Sequence, residues 1–282
     1  MTRPESVVFL LVAYGNLAEV ERFVAETRRA EPSSAVSFAV CDNSPSSAPT
    51  SLEDLDDVLL VRRPDNPGYL PGGLAALKAW VAATGGLPDW AVLSNTDLTT
   101  ESSGLLDVLA EHDPTRPLIL APRITEGEAR IEKNPHLRLA RSPRRHRLNH
   151  VVTRTPGFAY GYLVLSRVRL QLRLRRATGP GGVAEGIAPT GSTMYSPYGA
   201  QIFFSRGFLE RDALPSDVPI TAEEYVVAER ARREGAPVVF EPRISVHHDP
   251  HTTTGPKVSW PRAVRLSRAF AYIDHDVRSA SP

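Results

Sequence analysis

Asp97 closes the polar tetrad Ser94-Asn95-Thr96-Asp97, which follows the apolar run Trp90-Ala91-Val92-Leu93. A carboxylate just past the end of a buried strand lies at the rim of a parallel sheet, where open α/β folds bind their ligands. A second apolar run, Val36 to Cys41, ends in Asp42-Asn43-Ser44, so two strands deliver carboxylates to the same rim. Each acid has a purely local use as well. Asp97 would also serve to cap a helix beginning near Thr100, and Asp42 to start an Asx-turn into Asn43-Ser44-Pro45. Later in the chain Glu223 and Glu224 open a helical pattern, where first-turn acids complement the helix dipole. His247 and His248 follow a strand pattern, and neighbours on an extended backbone point to opposite sides, so one of the two faces any site at that edge. His251 makes a third histidine, but His-His-X-X-His is not helical zinc spacing and Asp249-Pro250 interrupts it.

The elements that must position these residues are legible as periodicity. Val7-Val8-Phe9-Leu10-Leu11-Val12 is a continuous apolar run, the mark of a strand buried on both faces. Leu17, Val20, Phe23, Val24 and Thr27 fall on one helical face. Val36 to Cys41, Val58 to Val61, Trp90 to Leu93 and Leu118 to Ala121 read as further strands, with helices around Leu74, Leu77, Lys78 and Val81 and around Leu105, Val108 and Leu109. Such a βαβ series predicts an α/β fold, a twisted, mostly parallel sheet flanked by helices. Tyr198 to Phe204 predicts a strand, and Thr221-Ala222-Glu223-Glu224 a helix with a threonine N-cap, Glu224 at the capping-box position and Gly235 at its close.

Composition bounds the rest. The chain has 282 residues and a net charge of +1, which gives no whole-molecule case for a nucleic-acid partner. Its one cysteine, Cys41, rules out an intrachain disulfide and a cysteine zinc cluster, and suits a cytoplasmic location. The apolar stretch Val7 to Val12 is too short to span a membrane and carries no cleavage-site pattern. Between Lys133 and Ala184 there is no acidic residue, while eleven arginines lie between Arg138 and Arg176. Within that stretch Val168, Leu170, Leu172 and Leu174 alternate with Arg167, Arg169, Gln171, Arg173 and Arg175, a period-two pattern that reads as a strand with one basic face, either a solvated sheet edge or a surface for anionic groups. The Gly- and Pro-rich segment from Gly179 to Ser192 reads as a loop. From Trp260 to Ile273, Leu266, Phe270 and Ile273 share one face and Arg262, Arg265 and Arg268 lie elsewhere, predicting an amphipathic helix that packs on its own domain, across a homodimer, or on a membrane surface.

In order, Asp42-Asn43-Ser44, Asn66-Pro67-Gly68-Tyr69 with Gly72-Gly73, Ser94-Asn95-Thr96-Asp97, Tyr198-Gly199-Ala200, Glu223-Glu224 with Arg230 and Gly235, and Pro242 with His247-His248 resemble the motifs of family 2 glycosyltransferases of the GT-A fold, most of all the rhamnosyltransferase-like branch. The resemblance covers about residues 6 to 250. It implies a GT-A domain over 1–250, divided into a nucleotide-sugar-binding half (1–122) and an acceptor or catalytic half (123–250), with residues 251–282 as a tail. It implies an inverting sugar transfer from a nucleoside diphosphate, UDP or dTDP, to a carbohydrate, lipid-linked or natural-product acceptor, as in polysaccharide biosynthesis, by a protein that is cytoplasmic or peripheral to the membrane. Asp97 matches the last aspartate of the family's Asp-X-Asp motif, which holds Mg²⁺ or Mn²⁺ against the diphosphate, and Asn95 stands where the first aspartate usually is. His248, with His247 beside it, takes the place of the family's histidine at the metal or diphosphate. Asp42 and Asn43 match the base-binding end of the second strand, and Asn66, Gly68 and Gly72 the turn near the donor. Glu224 stands where the family has its catalytic base, with Glu223 adjacent. A scaffold that binds nucleotide sugars without turnover and a sugar-nucleotide nucleotidyltransferase are the alternatives. The second is disfavoured, because Ala13-Tyr14-Gly15-Asn16 is no Gly-rich basic loop.

Overall fold

The computed structural model describes residues 3–46, 49–137, 139–140, 142–177, 188–249 and 258–279, with backbone alone for 170–177. The strands are β1 (Val7–Ala13), β2 (Val36–Asp42), β3 (Val58–Arg62), β4 (Trp90–Ser94), β5 (Leu98–Thr100), β6 (Ile119–Glu126), β7 (Ile131–Glu132), β8 (Thr193–Met194), β9 (Gln201–Ser205) and β10 (Val238–His248). The helices are α1 (Leu17–Ala30), α2 (Tyr69–Thr84), α3 (Leu105–Leu109), α4 (Pro143–Val152), α5 (Pro156–Ala177), α6 (Arg206–Leu209), α7 (Glu223–Arg233) and α8 (Trp260–Ser279). Eight strands run in the order β3-β2-β1-β4-β9-β6-β10-β5, with β7 added to β6 and β8 to β10. β1 pairs in parallel with both β2 and β4, β2 with β3, and β6 with β10, while β9 runs antiparallel between β4 and β6. This is the α/β architecture expected from the sequence.

Both faces of β1 are covered, and successive side chains show by what. Phe9 meets Phe23 of α1 edge-on at 5.7 Å between ring centroids and stacks on Phe38 of β2 at 5.7 Å. Leu10 points the other way, toward α2, where a Cβ added at Gly73 would lie 3.8 Å from its own Cβ and 2.5 Å from Leu93 Cδ1. A side chain at Gly73 would therefore require the buried Leu93 side chain to shift. Val20, Phe23, Val24 and Thr27 are the buried residues of α1, the face expected for it. Deletion of one such buried aromatic costs about 3–5 kcal/mol.

The chain divides into two compact units, one made of residues 1–139, 189–218 and 223–254, the other of 140–188, 219–222 and 255–282. The sheet belongs to the first. In the second, α4, α5 and α8 pack on one another, with Tyr162 edge-on to Phe270 at 6.1 Å and Ala263, Ala269 and Ile273 of α8 buried. α8 is the amphipathic helix expected from Trp260, and it extends to Ser279.

Two expectations change. The alternating run from Arg167 to Arg175 is not a strand but part of α5. Leu, Arg and Gln are strong helix formers and Val168 is the single β-branched residue in the run, so propensity outweighs an alternation that a helix accommodates equally. The capping box is absent as well: α7 begins at Glu223, and Thr221 has φ 78° instead of the extended conformation of an N-cap. Of the expected loop from Gly179 to Ser192, residues up to 187 lie outside those described, as does His251.

Candidate functional site

β1 and β2 end opposite each other at Ala13 and Asp42, β4 ends two residues earlier with Ser94 opposite Leu11, and the chain turns from the β2 side of β1 to the β4 side there, making the crevice between β1 and β4 a topological switch point. The tetrad after β4 is held from several sides. Asn95 N–H donates to Ala200 O at 2.8 Å, Gln201 Nε2 to Ser94 Oγ at 3.2 Å, and Asn16 Nδ2 to Thr96 Oγ1 at 2.9 Å. Asp97 leads into β5 and not into a helix, so its side chain is not spent on a cap.

β5 pairs antiparallel with the end of β10, placing Leu98 opposite His248. His248 is buried, with Nε2 3.2 Å from Asp97 Oδ1. His247 points away, as the alternation of a strand requires, and its Nδ1 lies 3.0 Å from Thr125 Oγ1. The structure thus brings Asp97 and His248 together and leaves His247 outside.

Asp42 is buried, and its Oδ1 accepts from Ser44 N–H at 3.0 Å, the Asx-turn that Asp-Asn-Ser favours. Its Oδ2 lies 3.8 Å from Arg62 Nη1 and has no hydrogen-bond donor among the described residues. Asn43 donates from Nδ2 to Gly68 O at 3.1 Å, tying the end of β2 to the start of α2. Asn66 has φ 45° and Gly68 φ 106°, so the turn before α2 is built from left-handed positions. A Cβ at Gly72 would meet Asn43 Nδ2 and Val12 Cγ1 at 3.2 Å. The close approach these glycines permit is therefore that of α2 to β1 and to Asn43.

The two acids of α7 face different surroundings, as a turn of about 100° between neighbours demands. Glu224 accepts from Gly199 N–H at 2.8 Å through Oε1 and lies 3.3 Å from His136 Nε2 through Oε2. Gly199 leaves the room this needs, since a Cβ there would sit 3.1 Å from Glu224 Cγ. Glu223 is buried. Burial, and then the charges of Glu223 and Asp97, hold the Tyr69 phenol well above its ordinary pKa, so its hydroxyl stays protonated as a donor.

Tyr198 joins the two groups of acids. Its ring centroid is 5.7 Å from that of His136 and 6.2 Å from that of His248, and Lys133 Nζ stands 5.0 Å over it. One aromatic ring therefore separates the Glu224–His136 pair from the Asp97–His248 pair. His136 and Lys133 were not singled out by motif chemistry, and Tyr69 entered only as the last residue of the turn motif Asn66-Pro67-Gly68-Tyr69. The available signal was that Lys133 and His136 open the stretch without acidic residues, directly after β7.

A divalent cation fits the Asp97–His248 pair. Two ligands on adjacent corners of an octahedron with bonds of about 2.1 Å are about 3 Å apart, close to the separation observed. Among the described residues no third histidine, cysteine or carboxylate completes a cluster, so the remaining positions would fall to water and to ligand oxygens.

No family model matches the chain, and no curated protein is similar to it in sequence. Solved structures are similar in fold. GalNAc-T7, in a crystal structure with UDP, GalNAc and Mn²⁺, superposes with a TM-score of 0.53 at 13% identity over 93% of this chain and 48% of its own. TarS of S. aureus, in complex with UDP-GlcNAc, superposes with a TM-score of 0.53 at 10% identity over 94% of this chain and 66% of its own. The chain spans about half the length of the first and just under two thirds of the second.

Proposed function

With the GT-A fold of nucleotide-sugar transferases as premise, we propose that this protein is an inverting glycosyltransferase of the family 2 type, related to the rhamnosyltransferase-like branch, moving a hexosyl or rhamnosyl unit from a nucleoside diphosphate to an acceptor hydroxyl. The observation that carries the reading is the pairing of Asp97 with His248 and of Glu224 with His136 on either side of Tyr198. A diphosphate leaving group gains charge as the glycosidic bond breaks, and a carboxylate must take the acceptor's proton as the new bond forms. One paired acid suits each task.

Asp97 and His248 would hold Mg²⁺ or Mn²⁺, which supplies positive charge to the departing diphosphate. Asn95, on the same loop, would offer its amide to the donor. Asp42, Asn43, Asn66, Gly68 and Gly72 form the nucleotide end of the 1–122 half, with Asp42 Oδ2 as acceptor for the imide N–H of uracil or thymine once Arg62 moves aside. In the 123–250 half, Glu224 takes the hydroxyl proton of the acceptor while His136 and Gly199 N–H fix its two oxygens. Glu223, next to Glu224 on α7, is the alternative base. The acceptor is a carbohydrate, a lipid-linked sugar or a natural product, and the reaction is cytoplasmic.

The test is a thermal-stability panel of nucleotide sugars with and without Mn²⁺, since a site ligand raises stability with its affinity and concentration, by about 2.7 kcal/mol at a hundredfold excess over Kd. Pyrimidine donors should stabilise, and only with metal. Asp97→Ala should remove the metal-dependent part while the unliganded protein stays folded. Purine donors acting as well as pyrimidine ones would remove Asp42 from base recognition, and metal dependence unchanged in Asp97→Ala would remove Asp97 from the cation.

A further inference from the structure

The second unit presents apolar side chains to solvent from two helices. On α4 Leu148 is 60% exposed, Val151 52% and Val152 43%; on α5 Phe158 is 59%, Leu165 49%, Val168 46% and Val164 42% exposed. Their spacing is helical. Leu148 with Val151 and Val152, and Phe158 with Leu165 and Val168, recur at three, four, seven and ten residues, so each set forms one stripe. Single exposed apolar residues need no explanation, but a stripe on each of two helices that both pack on α8 does.

The charged residues of α4 and α5 have one sign. Arg144 and Arg145, four and three residues before Leu148, lie on its face of α4, and Arg169, four residues after Leu165, lies on its face of α5. All three are exposed, and no acidic residue occurs from Lys133 to Ala184 to offset them. α8 does not cover the stripes, although it packs against both helices and keeps its own apolar residues Ala263, Ala269 and Ile273 inward. No helix among the described residues is long and apolar enough to cross a membrane, so the face is not that of a spanning segment.

We propose that this face of α4 and α5 docks on the surface of an anionic phospholipid bilayer. Apolar side chains partition into the boundary between headgroups and acyl chains, and arginines beside them pair with lipid phosphates. A second copy of the chain fits less well, because a two-fold contact through this face would set arginines against arginines. Nucleic acid would use the arginines but would leave aliphatic Leu148, Leu165 and Val168 in water.

Co-sedimentation of the full chain with phosphatidylcholine vesicles, alone and with about a third phosphatidylglycerol, decides the matter. Binding should appear on the anionic vesicles and weaken at least about tenfold between low and physiological salt. Arg144→Glu with Arg145→Glu should weaken it at least about tenfold, and Phe158→Ser with Leu165→Ser should abolish it, with unchanged helical circular dichroism since all four positions are exposed. If either variant misfolds, the salt dependence of the parent protein still tests the proposal. Absence of binding, equal binding to neutral vesicles, or a concentration-dependent dimer in sedimentation velocity that Phe158→Ser with Leu165→Ser converts to monomer would each overturn it.

Discussion

Glu224 and Glu223 are neighbours with opposite settings, and exchanging either for glutamine separates their parts. Glu224→Gln keeps the hydrogen bond from Gly199 N–H but cannot accept a proton, so donor affinity should persist while transfer falls about 10²- to 10⁴-fold. Steady-state kinetics with a binding measurement beside it checks this. Loss of transfer in Glu223→Gln with full transfer in Glu224→Gln would move the base by one residue along α7. Sequence pattern alone left that register open, because periodicity says that two adjacent helical acids diverge but not which of them meets the partner. His136 was hidden for a related reason: its partner Glu224 lies far along the chain, and no local motif announces the pair. The place of Asp97 at the rim of the sheet was legible because a polar cluster that ends a buried strand has few places to go.

β10 carries His248 to the site, and its course depends on an ionic cluster partway along. Its register with β6 shifts between Glu241 and Ser245, so the strand is bent just before the histidines. Burial would raise the Glu241 pKa, but hydrogen bonds from Arg243, and a further one from His112, outweigh it and hold the carboxyl at about 2. A folded-state pKa below the unfolded one contributes stability that is fully present above the unfolded value and is lost as pH falls through the folded one. Between about pH 4.5 and pH 2 the protein should lose up to about 3 kcal/mol through this group, and Glu241→Gln should flatten that part of a denaturant-derived stability profile. The strands and helices of the first 120 residues were legible because continuous apolar runs alternate there with amphipathic ones. α5 was misread, since nine residues of alternating Leu and Arg satisfy a strand and a poorly amphipathic helix alike, and only length and propensity separate the two.

For the molecule as a whole, the feature with the furthest reach is β9, inserted antiparallel between β4 and β6. It ties Gln201 to Ser94, positions 107 residues apart, and the loop holding Asp97 leans on that same strand through Asn95 and Ala200. A parallel set of β1 to β4 can assemble early from nearby sequence, but its β4 edge stays open until β9 arrives. Closing so long a loop is paid in entropy before any contact rewards it. The loop holding Asp97 should then be among the last parts to form, and contacts absent from the folding barrier act on the reverse rate. A bound nucleotide should slow unfolding in stopped-flow mixing while leaving the refolding rate unchanged. Before β9 joins, the partly folded chain shows neighbouring molecules an apolar strand with unmet hydrogen bonds, so refolding yield should fall as protein concentration rises.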